Sequence, residues 1–314
     1  MAVWLAIVLF IGGAALAIWS TQLLVEGLVG LALALRVSAF AVGAVLSGLE
    51  AENVAVGLSA GRADAASVAL GSAFGGAIFL VCVALGLGAL LYPLRVRLPR
   101  GFVLIFAATP LVAGLPLVFG GATPRWTGGV LLLLFVVALV YLVVASRGRT
   151  YLESDEVDEA REKRRPLWAA LALAACGIVA IGVAGELVSR GAVGIIAGLS
   201  VPPLVMGMVV TPAAIEIEEV FRQAVPARAG RPDVSAGNLV GTLLYFVLFN
   251  LGLIALITPV RVDPLVVRLD WPFLVGATWL AAVLLWRGSV GRLAGVLLLA
   301  AYAAYVALHL LLAR

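Results

Sequence analysis

Apolar residues run through this chain in blocks of about twenty, without the polar–apolar alternation of barrel strands. A helix of that length crosses the roughly 30 Å hydrocarbon core of a bilayer. The pattern predicts ten spans, at 2–20, 24–60, 66–92, 101–119, 127–146, 167–189, 192–224, 234–258, 271–286 and 291–312. The second is too long for one straight crossing, and Gly43, Ser47 and Gly48 mark its expected break. Residues 1–19 are too long and too weakly charged for a signal peptide and are taken as the first span. The expected fold class is an all-α polytopic membrane protein.

One segment is different. Ser146 to Pro166 holds Glu153, Asp155, Glu156, Asp158, Glu159 and Glu162 beside Arg161, Lys163, Arg164 and Arg165, and reads as a solvated linker. The expected organisation is a first half at 1–146, a charged linker at 147–166 and a second half at 167–314. With the linker cytoplasmic, fourteen of the 21 basic residues fall inside and six outside, with Arg36 unassigned. The positive-inside rule then puts both termini outside, in a prokaryotic plasma membrane.

Composition sharpens the class. The chain is 64% hydrophobic and 12% charged, about half the charge of a soluble protein, with mean hydropathy +1.17. The pI of 9.4 comes from arginines anchoring loops, so it does not indicate a nucleic-acid partner. Cys82 and Cys176 each sit in an apolar run and suggest neither a disulfide framework nor a thiolate site. The single histidine, His309, reads as interfacial. The partners expected are membrane lipid and inorganic cations, with no cofactor and no inferable protein partner.

Two acidic stretches break the apolar pattern: Leu49-Glu50-Ala51-Glu52-Asn53 and Ile215-Glu216-Ile217-Glu218-Glu219. A charge at mid-bilayer costs about 2.5–3.5 kcal/mol on insertion scales, so such residues mark function. The flanks of the two stretches are related. Gly27, Gly30 and Gly43 match Gly191, Gly194 and Gly207 at an offset of 164, and Ala69–Ser72 resembles Leu239–Thr242 at an offset of 170. The acidic stretches align between these anchors at 166. The repeats, about 24–92 and 188–258, are an odd number of spans apart, so the second enters the membrane from the opposite side. This predicts two inverted-topology five-helix repeats, an architecture whose sites lie at the repeat interface.

Helix periodicity puts Glu50 with Asn53, and Glu216 with Glu219, on shared faces. Together they would offer three carboxylates and an amide to a hard cation such as Ca2+, which takes about six to eight oxygens. Ser72 and Thr242 are candidates for further oxygens, and hydrogen bonds to their own helix backbone are the competing reading. Glu52 and Glu218 point elsewhere on regular helices; lining a wet vestibule or pairing with an arginine competes with ligation for both. Asn238 and Asn250 read equally as interhelical glue. An intramembrane enzyme would need a nucleophile or metal set that is missing. A channel or a non-transporting cation sensor on the same scaffold remains the alternative to a transporter.

The repeats resemble those of the Ca2+/cation antiporter superfamily of Na+/Ca2+ and cation/H+ exchangers. The resemblance rests on Leu24-Val25-Glu26-Gly27, Val37-Ser38, Gly71-Ser72 and Gly237-Asn238-Leu239-Val240-Gly241-Thr242. It implies secondary antiport of a cation, most naturally Ca2+ against Na+ or H+, by alternating access. It also implies that the first and sixth helices slide past a core of the second, third, seventh and eighth. Gly48-Leu49-Glu50-Ala51-Glu52-Asn53 is similar to the family's Gly-Asn-Ala-Ala-Glu-His element, which makes Glu52 the first-repeat ligand, and counting makes Glu219 the second. The helix-face argument favours Glu50 instead of Glu52, and the two stand as rivals. The family's further ligands fall on Gly76 and Phe246, whose side chains cannot ligate.

Overall fold

The computed structural model describes residues 2–34, 51–63, 65–119, 121–145 and 166–312. Gly43, Ser47, Gly48, Glu50 and the charged linker at 146–165 lie outside the described residues. The described helices are α1 (Val3–Ala34), α2 (Ala51–Arg62), α3 (Ala66–Leu91), α4 (Arg100–Val112), α5 (Arg125–Ala145) and α6 (Leu167–Leu199), followed by α7 (Pro203–Ile215), α8 (Ile217–Arg228), α9 (Pro232–Ile257), α10 (Val266–Trp286) and α11 (Arg292–Leu312). Seven of them, α1, α3, α5, α6, α9, α10 and α11, are long and apolar enough to cross a membrane, while α4 and α7 are shorter apolar helices. Helix α2 carries the second part of the expected second span, and α7 with α8 make up the seventh.

The expected boundaries at 20–24 and 189–192 are not breaks. Nothing there stops a helix: the Ser20 hydroxyl bonds back to the Leu16 and Ala17 carbonyls, and α1 continues to Ala34. The matched helix α6 runs 33 residues to Leu199. It ends where Ser200 turns left-handed at φ 54° and Pro202 and Pro203 forbid continuation.

Helices α1 and α6 pack antiparallel along nearly their whole length. Val3 lies against Gly198, Phe10 against Gly191, Leu24 against Gly177 and Ala174 against Gly27. These contacts come in matched pairs. Gly13 meets Val188 as Gly177 meets Leu24, and Gly27 meets Ala174 as Gly191 meets Phe10. Each pair is related by the 164-residue offset. A self-complementary contact between matched antiparallel helices is a pseudo-twofold interface, so the second repeat is inverted. A β-carbon on Gly27 would lie 2.4 Å from the Ala174 backbone nitrogen, so only glycine permits this approach.

The same symmetry corrects the register of the next helix. Gly128 of α5 packs on Gly252 and Leu256 of α9, and Gly295 of α11 packs on Gly86 and Leu90 of α3. Gly252 and Leu256 lie 166 residues beyond Gly86 and Leu90, and α3 and α9 are both 26 residues long. Ser72 therefore corresponds to Asn238, and Thr242 to Gly76. The expected Ser72–Thr242 match rested on the short Gly-Ser and Gly-Thr likeness, whereas Leu85-Gly86-Leu87 and Leu251-Gly252-Leu253 carry the true register.

Loops obey the symmetry too. Strand β1 (Leu94–Arg95) pairs antiparallel with β2 (Ser289–Val290), and Ala122 bridges Arg261. Each pairing joins two loops that the ten-span topology places on one side of the membrane. The core centres on α3 and α9, the most enclosed long helices. The outer faces of α1, α5, α6 and α11 expose Val8, Leu133, Val137, Ile178, Leu293 and Leu311, an apolar girdle suited to lipid. His309 is not interfacial: it is fully buried, with Nε2 2.5 Å from Asp270 Oδ1, which also accepts the Tyr305 hydroxyl at 2.6 Å. This cluster pins α10 to α11.

Replacing Gly191 by leucine should force α1 and α6 apart. Overpacking of this kind costs about 1–3 kcal/mol, and a lowered unfolding temperature in detergent is the expected reading.

Candidate cation site

The seventh span is broken at its acidic stretch. Pro212 has no N–H to give to the preceding turn, and residues 206–210 widen into a π-helical turn whose Met206 carbonyl accepts the Thr211 hydroxyl at 2.8 Å. The chain then leaves helical geometry at Glu216, with φ −87° and ψ 9°, and α8 begins at Ile217. Glu218 and Glu219 fall in the first turn of α8, where unpaired backbone N–H groups favour negative charge. A discontinuous helix in the membrane is tolerated where it lines a site enclosed by protein.

Three carboxylates converge from the two halves. Glu52 is 1% exposed; Glu216 and Glu219 are fully buried, as is the amide side chain of Asn53 at 1%. Glu52, Glu219 and Glu218 are the carboxylates whose charges reach Glu216. Asn53 faces the Glu216 carboxylate, but among the described residues no donor reaches either Glu216 oxygen in hydrogen-bonding geometry. Glu52 accepts one bond, from the Thr21 hydroxyl of α1 to Oε2 at 2.5 Å, and its Oε1 has no partner among the described residues. Helix α2 is held close by Gly57, which packs on Ser72 and Ile254, and by Ala55 against Gly185 of α6.

Glu219 is differently served. Its Oε1 accepts Arg222 Nη1 at 2.8 Å and its Oε2 accepts Asn238 Nδ2 at 3.2 Å. Arg222 Nη2 also reaches Glu218 Oε1 at 3.0 Å, one helical turn away. Among the described residues, no three His, Cys, Asp or Glu side chains are placed to hold a metal ion together in this conformation. The acids face one another, with Glu219 drawn toward the guanidinium.

The remaining candidates divide. Glu218 pairs with Arg222 and is about one-sixth exposed, in line with the vestibule and arginine alternatives. The Ser72 hydroxyl donates to the Ala69 carbonyl at 2.8 Å, and Asn250 Nδ2 donates to the Ser72 carbonyl at 2.9 Å. Ser72 is thus engaged in structure. The Thr242 hydroxyl is buried without a partner among the described residues. The Phe246 ring packs where a Gly76 β-carbon would sit, 2.6 Å away, so an aromatic ring fills this stretch of the core. The rivalry between Glu50 and Glu52 has one visible contender, since Glu50 lies outside the described residues.

Thr21, Arg222 and Asn238 were not singled out as site residues from sequence. A threonine in the long apolar run of α1 carries no pattern of its own. Asn238 was detectable through the Gly237-Asn238 motif, and Arg222 through its spacing of three and four residues from Glu219 and Glu218.

A family model described as sodium/calcium exchanger protein matches the chain twice, at residues 5–144 and 169–311. The inner membrane protein YrbG of Escherichia coli is 28% identical over 275 residues, covering 83% of this chain and 82% of its own. The "putative antiporter CaxA" of Alkalimonas amylolytica is 25% identical over 306 residues, covering 93% and 95%. Among solved structures, the sodium-calcium exchanger NCX_Mj soaked with Na+ and Sr2+ superposes with a TM-score of 0.63 at 22% identity, covering 98% of this chain and 99% of that one. That likeness shows the fold.

Replacing Thr21 by valine removes the one hydrogen bond seen on Glu52. A buried group left without its donor costs about 1–3 kcal/mol. A lowered unfolding temperature is expected for Thr21→Val, and serine, which keeps the hydroxyl, should preserve it.

Proposed function

The chain belongs to the sodium/calcium exchanger protein family of integral membrane cation exchangers, and from that premise we propose that it exchanges Ca2+ for Na+ or H+ by alternating access. The observation that carries this reading is the pair Glu52 and Glu216. Two buried carboxylates from oppositely oriented halves face each other, with three of their four oxygens unpartnered among the described residues. Buried anions of this kind need a cation or a proton. All-oxygen donors with irregular geometry suit Ca2+ as the cargo.

Mutually exclusive occupancy follows from the same charges. A divalent ion and the protons or Na+ ions that replace it would neutralise the same carboxylates, so one species must leave before another binds. Glu52, Asn53, Glu216 and Glu219 are the proposed ligands. Glu50, Glu218, Ser72 and Thr242 stand as further candidates, Thr242 with a hydroxyl that has no partner among the described residues and Ser72 with its hydroxyl already engaged. Thr21 connects the site to α1. Sliding of the α1–α6 pair across the core would make or break its bond to Glu52.

Purified protein in liposomes should take up radiolabelled Ca2+ when an outward Na+ or proton gradient is imposed, and imposing the two separately identifies the driving ion. Glu216→Gln, Glu219→Gln and the pair Glu50→Gln with Glu52→Gln should each abolish uptake. Undiminished uptake in these variants would overturn the reading. In the same framework both termini face outward, so a periplasm-active reporter fused to the C-terminus should be active, and one placed in the 147–166 linker silent.

A further inference from the structure

Arg222 places a permanent positive charge inside the second-repeat half of the site. Its fork spans two carboxylates, with Nη1 on the fully buried Glu219 and Nη2 on the partly exposed Glu218. A guanidinium stays protonated at any physiological pH. It therefore neutralises Glu219 in a way that no change of pH reverses. Among the described residues, Glu52 has no such device beside it. The residues three and four beyond Glu52 are Ala55 and Val56, and the described polar partner of Glu52 is a neutral hydroxyl.

An incoming cation that uses Glu219 meets Arg222 already on Oε1. Ligand and guanidinium cannot share that oxygen at close range without strong like-charge repulsion. Glu218 offers the guanidinium somewhere to go. It lies one residue nearer the break at Glu216, and four residues from Arg222 it sits at ideal helical spacing for an ion pair. At about one-sixth exposure it is less enclosed than the fully buried Glu219, which lowers the cost of holding the displaced charge.

We propose that Arg222 is a tethered competing cation: it holds Glu219 when the site is empty of cargo and retires onto Glu218 when a cation binds. The inference rests on the proposed exchange reading and adds to it a residue that sets cation affinity. The competitor's presence is a fixed handicap on binding, since apparent affinity falls with the fraction of sites from which Arg222 has withdrawn. Weakened binding at one repeat also favours release, which a turnover cycle needs.

The two charges should act with opposite sign. Arg222→Gln removes the competitor and should lower the Ca2+ concentration for half-maximal uptake by about tenfold, with a slower maximal rate as release becomes limiting. Glu218→Gln removes the retreat and should raise that concentration. The double variant should follow Arg222→Gln, because the retreat is idle without the guanidinium. Added guanidinium ion should compete with Ca2+ in Arg222→Gln and not in the parent protein. Arg222→Lys, which keeps the charge, should lie near the parent value. A merely structural ion pair would weaken binding in both single variants or in neither, and either result overturns the proposal; Arg222→Met supplies the same comparison if Arg222→Gln fails to fold. Absence of Na+- or proton-driven Ca2+ uptake in the parent protein would overturn the exchange reading and this inference with it.

Discussion

A carboxylate without a partner in hydrocarbon is the constraint around which this protein is built. Glu52 and Glu216 are buried, and among the described residues one oxygen of Glu52 and both of Glu216 have no donor. That arrangement is costly, and the rest of the molecule sustains it. The break at Glu216 requires irregular backbone within the membrane, which survives because α2, α3 and α9 enclose it. Close enclosure in turn requires small residues at the crossings. A β-carbon on Gly71 would lie 2.0 Å from the Gly207 carbonyl oxygen, so α3 and α7 approach at backbone contact beside the break. The acids come first in the causal order, and the glycines follow from the need to seal them.

The pseudo-twofold symmetry gives the site two faces by construction. Because α1 and α6 cross antiparallel through matched contacts, whatever path leads to the carboxylates from one side has a counterpart from the other. Alternating access needs two states of similar energy, and a scaffold that is nearly its own mirror in sidedness supplies them without a separate design for each. The α1–α6 interface is long, apolar and made of small side chains against Phe10, Leu24 and Val188. It holds the pair as a unit, while its outer surface meets lipid.

Much of this was legible in the chain because the signals were strong and local. Twenty-residue apolar blocks, two acidic interruptions and spaced glycines specify a ten-span inverted repeat. The failures have physical causes. The boundary expected near residues 20–24 falls inside a continuous helix, where Ser20 satisfies itself on its own backbone and Thr21 serves Glu52. Ser72 was matched to Thr242 by a two-residue likeness, where packing of Gly295 on Gly86 fixes a register four residues away. The helix-face argument assumed regular helices and set Glu52 aside from the shared face; Glu52 is buried in the described structure, while its rival Glu50 lies outside the described residues. Partners distant in sequence, such as Thr21 with Glu52 or His309 with Asp270, leave no trace in local pattern.

The departures from symmetry are where the two halves take different roles. Glu52 is touched by a neutral hydroxyl from α1 and keeps one oxygen unpartnered among the described residues. Glu219 is held on both oxygens by groups of its own half, Arg222 on α8 and Asn238 on α9, so its state changes with charge. A perfectly symmetric site would bind its cation equally from both repeats and would have no reason to release one ligand before the other. On the proposed reading, a carboxylate touched by α1 in one half and one held by an internal cation in the other would let the protein set the order in which ligands engage. The arginine that breaks the symmetry thus bears on direction and affinity together, at the point where the two inverted halves meet.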